Sequence, residues 1–404
     1  MLALRAFEKR SWCQDICWRT LQIVYLNIKG ARMTQTQQTS PLKIAPEDKK
    51  EAPVETVSPL FKPNPIYKPF RYPWAFEAWQ TQQRIHWLPD EVSMADDLKD
   101  WNNKLTDAEK NLLMQIFRFF TQMDIGVNNC YMQYYGRLFQ PIEIRMMLSA
   151  FSNIETVHIQ GYSYLLETLG IPDTEYQAFL SYKAMSEKWE YMQDFGGDSL
   201  QDIALTLAFF SGFGEGVQLF ASFVMLMNFP RFNKMKGMGQ IVSWSIRDET
   251  LHVHSMTHLF RTLIEEHPFL WTEALREKIK RVCEKIVSLE DSFIDLAFEL
   301  GPIEGLTAES TKKYIRYIAN RRLSQLGLPA MYDVKKDPLP WMEEMTTGLE
   351  FTNFFENRAT EYAKASTKGT WKDAFTLFDE QMAKHLVKKA ADDKATITHL
   401  KPAQ

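Results

Sequence analysis

Two Glu-x-x-His motifs, each within an apolar stretch of helical character, are the residues of this chain that point most directly to chemistry. The first runs from Glu155 to His158 and the second from Glu249 to His252. Residues three apart on a helix lie about 60° apart around its axis. Each motif therefore aims a carboxylate oxygen and an imidazole nitrogen at one point, a ligand pair that suits iron or manganese.

Two further acids, Asp124 and Glu215, also lie in apolar helical stretches. A four-helix bundle that binds two metal ions takes one carboxylate from each of two helices and Glu-x-x-His from each of the other two. The chain departs from this pattern only in having Asp as the first acid. Four unpaired buried carboxylates would cost too much to retain, whereas two trivalent ions with a bridging oxide balance their charge. The sequence therefore predicts a dinuclear metal centre.

Three more residues are candidates for redox or supporting roles. Tyr162 lies seven positions after Glu155, which returns it to within about 20° of the same helix face. Alone it would be read as a core tyrosine bonded to a carbonyl, but beside an oxidising metal pair a phenol is a one-electron donor. Asp248 adjoins Glu249 and is suited to holding a ligand imidazole. Trp87 on its own is more often a core residue.

Helical periodicity predicts an all-α fold, because strand signals are scarce. Thr106 and Glu109 fit a capping box at the start of the helix that carries Asp124. Glycines around Glu215 predict a local bulge in its helix. The later helices are predicted at residues 143–169, 174–193, 200–228, 237–266, 270–300 and 308–325.

Composition narrows the class of protein. The net charge of −4 and the absence of a strongly basic region argue against nucleic-acid binding. Four cysteines without a disulfide framework indicate a reducing cytoplasm. Residues 203–229 are apolar enough to span a membrane, but Glu215 at their centre favours a buried core helix that carries a ligand.

The chain divides into three parts by composition. Residues 1–75 are expected to be disordered or extended, and residues 1–32 read as an upstream extension of the reading frame that ends before Met33, or as a targeting segment. Residues 76–333 form the helical metal-binding domain, with order expected from about Trp87. Residues 334–404 read as an irregular tail.

These motifs together resemble the small, radical-generating subunit of class I ribonucleotide reductase, a ferritin-like di-metal carboxylate family. The resemblance spans about residues 70–362, and that family uses Asp at the first ligand position. It implies a ferritin-like four-helix bundle core with additional helices. Beyond Asp124 and the motif that runs from Glu155 to Tyr162, it rests on residues 87–92, 215–216, 247–252, 319–323, 338–341 and 354–358.

The resemblance implies a role for each candidate. A pair of oxo-bridged iron ions, or alternatively manganese, would react with O2 and oxidise Tyr162 to a stable radical. Trp87 would supply the extra electron and begin the outward radical path, and Asp248 would link it to one of the ligand histidines, His158 or His252. The two ligand sets, in which Glu155 and Glu249 are placed to bridge, would be Asp124, Glu155 and His158 for one ion, and Glu215, Glu249 and His252 for the other.

The resemblance also implies partners. Tyr362 matches the interface tyrosine from which the oxidising equivalent passes to a cysteine of the large (alpha) subunit. There the 2′-hydroxyl of a ribonucleoside diphosphate is replaced by hydrogen. A homodimer is expected. The final residues, 398–404, depart from the ending expected of the family, so residues 371–378 are an alternative docking segment.

Two other functions compete with this one. The first is a ferritin-like di-metal oxidase that acts on another substrate without a large subunit, against which Trp87, Asp248 and Tyr362 argue. The second is iron storage or a non-catalytic helical scaffold. A storage protein forms a shell from a shorter chain, and this chain has 404 residues.

Overall fold

The computed structural model describes residues 58–345, which consist of helices, turns and loops with one isolated bridge between Ile303 and Leu306. The main helices are α1 (Pro73–Arg84), α2 (Ala95–Asn103), α3 (Asp107–Asn129), α4 (Ile142–Leu169), α5 (Lys183–Met192), α6 (Leu200–Arg231), α7 (Lys236–Glu266), α8 (Glu273–Ala297) and α9 (Ala308–Gln325). Short helical turns lie at Pro59–Phe61, Pro89–Glu91, Gly136–Leu138, Glu175–Ala178, Phe179–Ser181 and Pro268–Leu270.

Two stretches of the described residues have the wider π-helical winding. One, Cys130–Tyr135, continues directly from the end of α3. The other, Leu207–Gln218, forms the middle of α6 between regular α-helical turns on either side. Such bulges are rare and are frequent at functional sites, and the second one contains Glu215 where the glycines predicted a bulge.

Helices α3, α4, α6 and α7 form the core, with α3 packed on α4 and α6 packed on α7. Helix α1 covers α4 and α7, while α8 and α9 pack against the π-helical middle of α6. The predicted all-α fold, a four-helix bundle core with additional helices, is confirmed. Each of the four core helices carries at least one of the six predicted ligands.

Local sequence signals explain where the core helices begin and end. The predicted capping box forms at α3, where the Glu109 backbone N–H donates to the Thr106 hydroxyl at 3.3 Å. Gly170 ends α4 in the left-handed conformation, with φ of 70°. The start of α7 is capped by another helix, because Asp97 of α2 accepts from the backbone N–H groups of Gly237 and Met238, both at 2.8 Å. A carboxylate at this position accepts hydrogen bonds from the free N–H groups of the first turn and interacts favourably with the positive end of the helix dipole.

Two expectations about the helices were wrong. Helix α1 lies before Trp87, where order was expected to begin, and its buried residues Ala75, Ala78 and Gln82 face the core. The predicted helix 174–193 is interrupted, because Tyr182 adopts an extended conformation before α5 begins. The other predicted helices are present with ends shifted by a few residues.

Helix α6 is long and apolar enough to cross a membrane by length and composition, but 94% of its apolar window is buried inside the protein. This burial agrees with the interpretation of the stretch as a core helix that carries Glu215. Among the described cysteines, Cys130 and Cys283 are free and buried. The division into residues 1–75, 76–333 and 334–404 stays a prediction, and Tyr362 and residues 1–32, 371–378 and 398–404 lie outside the described part of the chain.

Candidate metal centre

The six predicted ligands come together in the middle of the bundle. They form two groups that share Glu155, and within each group the potential ligand atoms lie within 4.8 Å of one another. All six side chains are at most 1% exposed. The groups are Asp124, Glu155 and His158, and Glu155, Glu215, Glu249 and His252.

The two glutamates of the Glu-x-x-His motifs each reach both histidines. Glu155 places Oε2 at 3.3 Å from Nδ1 of His158 and Oε1 at 3.1 Å from Nδ1 of His252. Glu249 places Oε1 at 3.3 Å from Nδ1 of His158 and Oε2 at 3.5 Å from Nδ1 of His252. Both carboxylates therefore lie between the two imidazoles, where each would be available to two metal ions if both were bound.

Seven buried atoms of these six side chains make no hydrogen bond of good geometry; their shortest contacts are with one another, from carboxylate oxygen to imidazole nitrogen. Buried polar atoms are nearly always satisfied, and a charged one without a partner is especially costly. Oxygen and imidazole nitrogen are the donors that iron and manganese accept, so the residues fit a two-metal site. The atoms are Asp124 Oδ2, Glu155 Oε1 and Oε2, His158 Nδ1, Glu215 Oε2, Glu249 Oε2 and His252 Nδ1.

The electrostatics of the metal-free protein reflect the same crowding of carboxylates. Burial, with the charge of nearby carboxylates, raises the pKa of Glu215 to about 8 and that of Asp124 well above its usual range. Burial acts on Glu155 in the same direction, but the two imidazoles outweigh it and its pKa is lowered. Burial would lower the pKa of His158 and His252, yet their carboxylate neighbours raise both.

The contacts of His158 Nε2 show which ligand histidine lies next to Asp248 and Trp87, a choice between His158 and His252 that the sequence left open. Asp248 Oδ2 accepts from the indole Nε1 of Trp87 at 2.7 Å and lies 3.2 Å from Nε2 of His158. Asp248 therefore links Trp87 to His158. The other ligand, His252, instead has its Nε2 3.3 Å from Oε1 of Gln82, whose Nε2 donates to Asp248 at 3.1 Å.

Tyr162 lies on the ligand face of α4, as its spacing from Glu155 predicted. It is 3% exposed, and its hydroxyl donates to Ser245 Oγ at 2.8 Å. Its ring packs against Phe120, with 4.5 Å between centroids, and the His158 ring centroid is 6.4 Å away. Burial raises the pKa of Tyr162 well above its ordinary value, so the phenol is protonated at rest.

The comparisons with known proteins agree with this geometry. The family model for the ribonucleotide reductase small chain matches residues 66–338. The "probable ribonucleoside-diphosphate reductase small subunit 048L" of Invertebrate iridescent virus 3 is 48% identical over 76% of this chain and 86% of its own. The chain belongs to the ribonucleotide reductase small-chain family.

Two further relatives support the assignment. The ribonucleoside-diphosphate reductase subunit beta of Chlamydia pneumoniae is 32% identical over 74% of this chain and 89% of its own. The solved ribonucleotide reductase R2 subunit from Clostridium botulinum is 24% identical and has the same fold, with a TM-score of 0.64 over 68% of this chain and 89% of that one. The protein is therefore a small subunit of ribonucleoside-diphosphate reductase, an oxidoreductase.

Three residues that contact the centre of this small subunit were not singled out from the sequence. Gln82 holds His252 from α1, a helix that was not predicted. Ser245 lies four residues before Glu249, so the helical spacing could have placed it on the ligand face. Tyr131 donates from its hydroxyl to Glu215 Oε1 at 2.7 Å, and it follows Asp124 by the same seven residues that separate Tyr162 from Glu155. The role of each candidate in binding metal or transferring electrons stays a prediction.

Proposed function

We propose that the six gathered residues bind two iron or manganese ions and that Tyr162 carries the radical on which ribonucleotide reduction depends. The observation that supports this most strongly is the set of seven buried ligand atoms without a well-formed hydrogen bond, on side chains that gather in two groups sharing Glu155. The bound ions would supply the activation of O2 and take up one electron from the phenol. One ion would be held by Asp124, Glu155 and His158, and the other by Glu215, Glu249 and His252. Glu155 and Glu249 would be shared between the two metal positions.

The surrounding residues prepare Tyr162 for this role. Its burial excludes water and other reductants that would quench a radical, and its hydrogen bond to Ser245 fixes the phenol oxygen. Ser245 in turn donates to the backbone carbonyl of Ile241 at 3.1 Å, so its hydroxyl proton points away from Tyr162. The Ser245 oxygen therefore remains the acceptor of the phenol hydrogen bond.

A chain of contacts leads from the ligands through His158 and Asp248 to Trp87. When the indole of Trp87 gives up an electron, Asp248 Oδ2 is positioned to accept the Nε1 proton across a distance of 2.7 Å. Gly161 lets the indole approach, because a Cβ there would lie only 3.3 Å from the edge of the Trp87 ring. We propose that electrons reach the centre along this path and that Tyr362 continues it at the large subunit.

The same proposal covers the assembly. The large subunit supplies the nucleotide site, a homodimer is the expected form of this chain, and its expected location is the cytoplasm. Iron is the preferred metal in this proposal, because a tyrosine occupies the radical position, and manganese is the alternative. Metal analysis of the purified native protein distinguishes the two.

The test is electron paramagnetic resonance after Fe(II) and O2 are added to the metal-free protein. We expect two iron ions per chain and a tyrosyl signal in the unchanged protein. The Tyr162→Phe variant should bind the same iron but give no such signal, because only the phenol oxygen is removed. The control is Tyr164→Phe, since Tyr164 lies about 180° from the ligand face and its loss should leave the signal intact.

Three outcomes would contradict the proposal. A tyrosyl signal that persists unchanged in Tyr162→Phe would assign the radical to another residue. Folded protein that binds neither Fe(II) nor Mn(II) would remove the metal centre altogether and favour a helical scaffold. A metal-loaded protein with no radical, and no turnover with a large subunit, would favour the ferritin-like oxidase.

A further inference from the structure

Tyr131 is a buried tyrosine at the centre that the radical path does not use. It is 2% exposed and belongs to the π-helical segment Cys130–Tyr135. Its hydroxyl donates to Glu215 Oε1 at 2.7 Å, and its ring meets the His252 ring edge-on, with 6.0 Å between centroids. Both contacts are to the ligands of the second metal position.

The bond joins the two π-helical segments found among residues 58–345. Glu215 is in Leu207–Gln218, so each partner is carried by a stretch where the regular α-helical register is lost. Glu215 Oε2 has no hydrogen-bond partner, and Oε1 lies 3.5 Å from His252 Nδ1, so the 2.7 Å bond from Tyr131 is the shortest contact that fixes this carboxylate.

The two histidine ligands have outer partners of their own. His158 is held by Asp248 at 3.2 Å and His252 by Gln82 at 3.3 Å. Outer groups of this kind orient a ligand and tune its affinity for metal. Tyr131 is the corresponding outer partner of Glu215, because a phenol hydroxyl donates to a carboxylate oxygen.

We propose that Tyr131 is a positioning residue for the second metal position, which holds Glu215 by Oε1 and so restricts this carboxylate to one coordination mode. The proposal rests on the metal centre proposed above. Because Oε1 accepts the hydrogen bond from Tyr131, Glu215 cannot bind one ion through both of its oxygens. Without the phenol, Glu215 is free to rotate or to bind through both oxygens, which changes the second position and leaves the first unchanged.

The test compares Tyr131→Phe with Tyr135→Phe. Tyr135 is buried in the same π-helical segment, but its hydroxyl donates to the backbone carbonyl of Thr206 at 3.1 Å. Each variant loses one buried hydrogen bond, so a merely structural effect would appear in both. Titration of the metal-free protein with Mn(II), with free Mn(II) followed by paramagnetic resonance, measures the two binding steps without any turnover.

We expect Tyr131→Phe to weaken one of the two Mn(II) sites by about 10- to 100-fold, the usual effect of losing an outer partner. Tyr135→Phe should bind both ions as the unchanged protein does. With Co(II) bound, the visible absorption should also change in Tyr131→Phe and not in Tyr135→Phe, because that spectrum reports the ligands. Equal affinities and equal spectra in all three proteins would overturn the inference.

A measurement on the unchanged chain gives a second test that does not depend on a variant folding. In a crystal structure with two Mn(II) ions, Tyr131 should remain hydrogen-bonded to Glu215, and Glu215 should bind through one oxygen. Tyr131 turned away, with both Glu215 oxygens on one ion, would overturn the role of Tyr131 but keep the metal centre. Failure of the unchanged protein to bind any metal would instead overturn both proposals.

Discussion

At the scale of single residues, two buried carboxyl groups of the metal-free site keep their protons at pH values where ordinary carboxyl groups have lost them. Burial raises the pKa of Glu215 from an ordinary carboxyl value to about 8, and Asp124 is shifted in the same direction. Between about pH 4.5 and 8 the folded chain therefore holds protons that the unfolded chain releases. Because stability falls with pH wherever the folded state binds more protons, the metal-free protein should lose stability across this window.

Chemical denaturation of the metal-free protein at pH 5 to 8 measures this dependence. We expect the free energy of unfolding to fall with rising pH, by up to about 1.4 kcal/mol per pH unit for each retained proton. Glu215→Gln removes one such group and should give a shallower slope. The metal-loaded protein should not show the fall, since bound ions take the place of the protons. A metal-free protein that becomes more stable from pH 5 to 8 would contradict the assignment.

The predicted ligands could be identified from the sequence because each lies at a regular spacing on one helix. Periodicity fixes which residues of a single helix share a face, and that was enough for His158, Tyr162 and His252. It says little about which residues of different helices meet. The contact of Asp248 with His158 rather than His252, and the contact of Gln82 with His252, depend on how helices pack and required the structure.

At the scale of elements, the π-helical middle of α6 depends on close approach to α9. The Nε of Arg322 donates to the carbonyl of Gly216 at 2.9 Å, and a Cβ on Gly216 would lie 2.7 Å from that nitrogen and 3.0 Å from Cδ. Arg322 is 7% exposed, so it has little room to move. Any side chain at position 216 therefore disturbs the segment that carries Glu215.

Gly216→Ala should destabilise the protein by about 1–3 kcal/mol, the usual cost of overpacking, and should weaken the metal position that Glu215 serves. Urea unfolding and the number of Mn(II) ions bound per chain measure the two effects. The matched control is Gly214→Ala in the same segment, where a Cβ meets only the Phe209 carbonyl at an ordinary 3.4 Å. Similar losses in both variants would point to general intolerance of alanine rather than to the contact with Arg322.

Some elements could be predicted from the sequence and others could not. The capping box at Thr106 and the glycines around Glu215 are local signals, and both features form as expected. Helix α1 escaped prediction because it follows a polar, proline-rich stretch and its N-terminus has no side-chain cap. Helix α1 is stabilised by packing on α4 and α7, and a contact between distant segments cannot be inferred from the local sequence pattern.

At the scale of the whole molecule, catalysis requires that the oxidising equivalent leave the bundle, because the described part of the chain surrounds the site with buried side chains. In the proposed function, Asp248 and Trp87 begin the path away from the ligands, and Tyr362 is proposed to continue it. A phenol at that point passes on an electron and a proton together. A phenyl ring in its place is far harder to oxidise and has no proton to give.

Tyr362→Phe should therefore leave the bundle, its metal content and its radical unchanged, but abolish nucleotide reduction when the large subunit is added. The measurements are the tyrosyl signal after Fe(II) and O2, and deoxynucleotide formation in the mixed complex. Tyr67→Phe is the control, since Tyr67 is 58% exposed and far in sequence from the tail. Binding to the large subunit must be measured in parallel, so that lost transfer is separated from lost docking. Normal turnover by Tyr362→Phe would take this residue out of the path and require another route from Trp87.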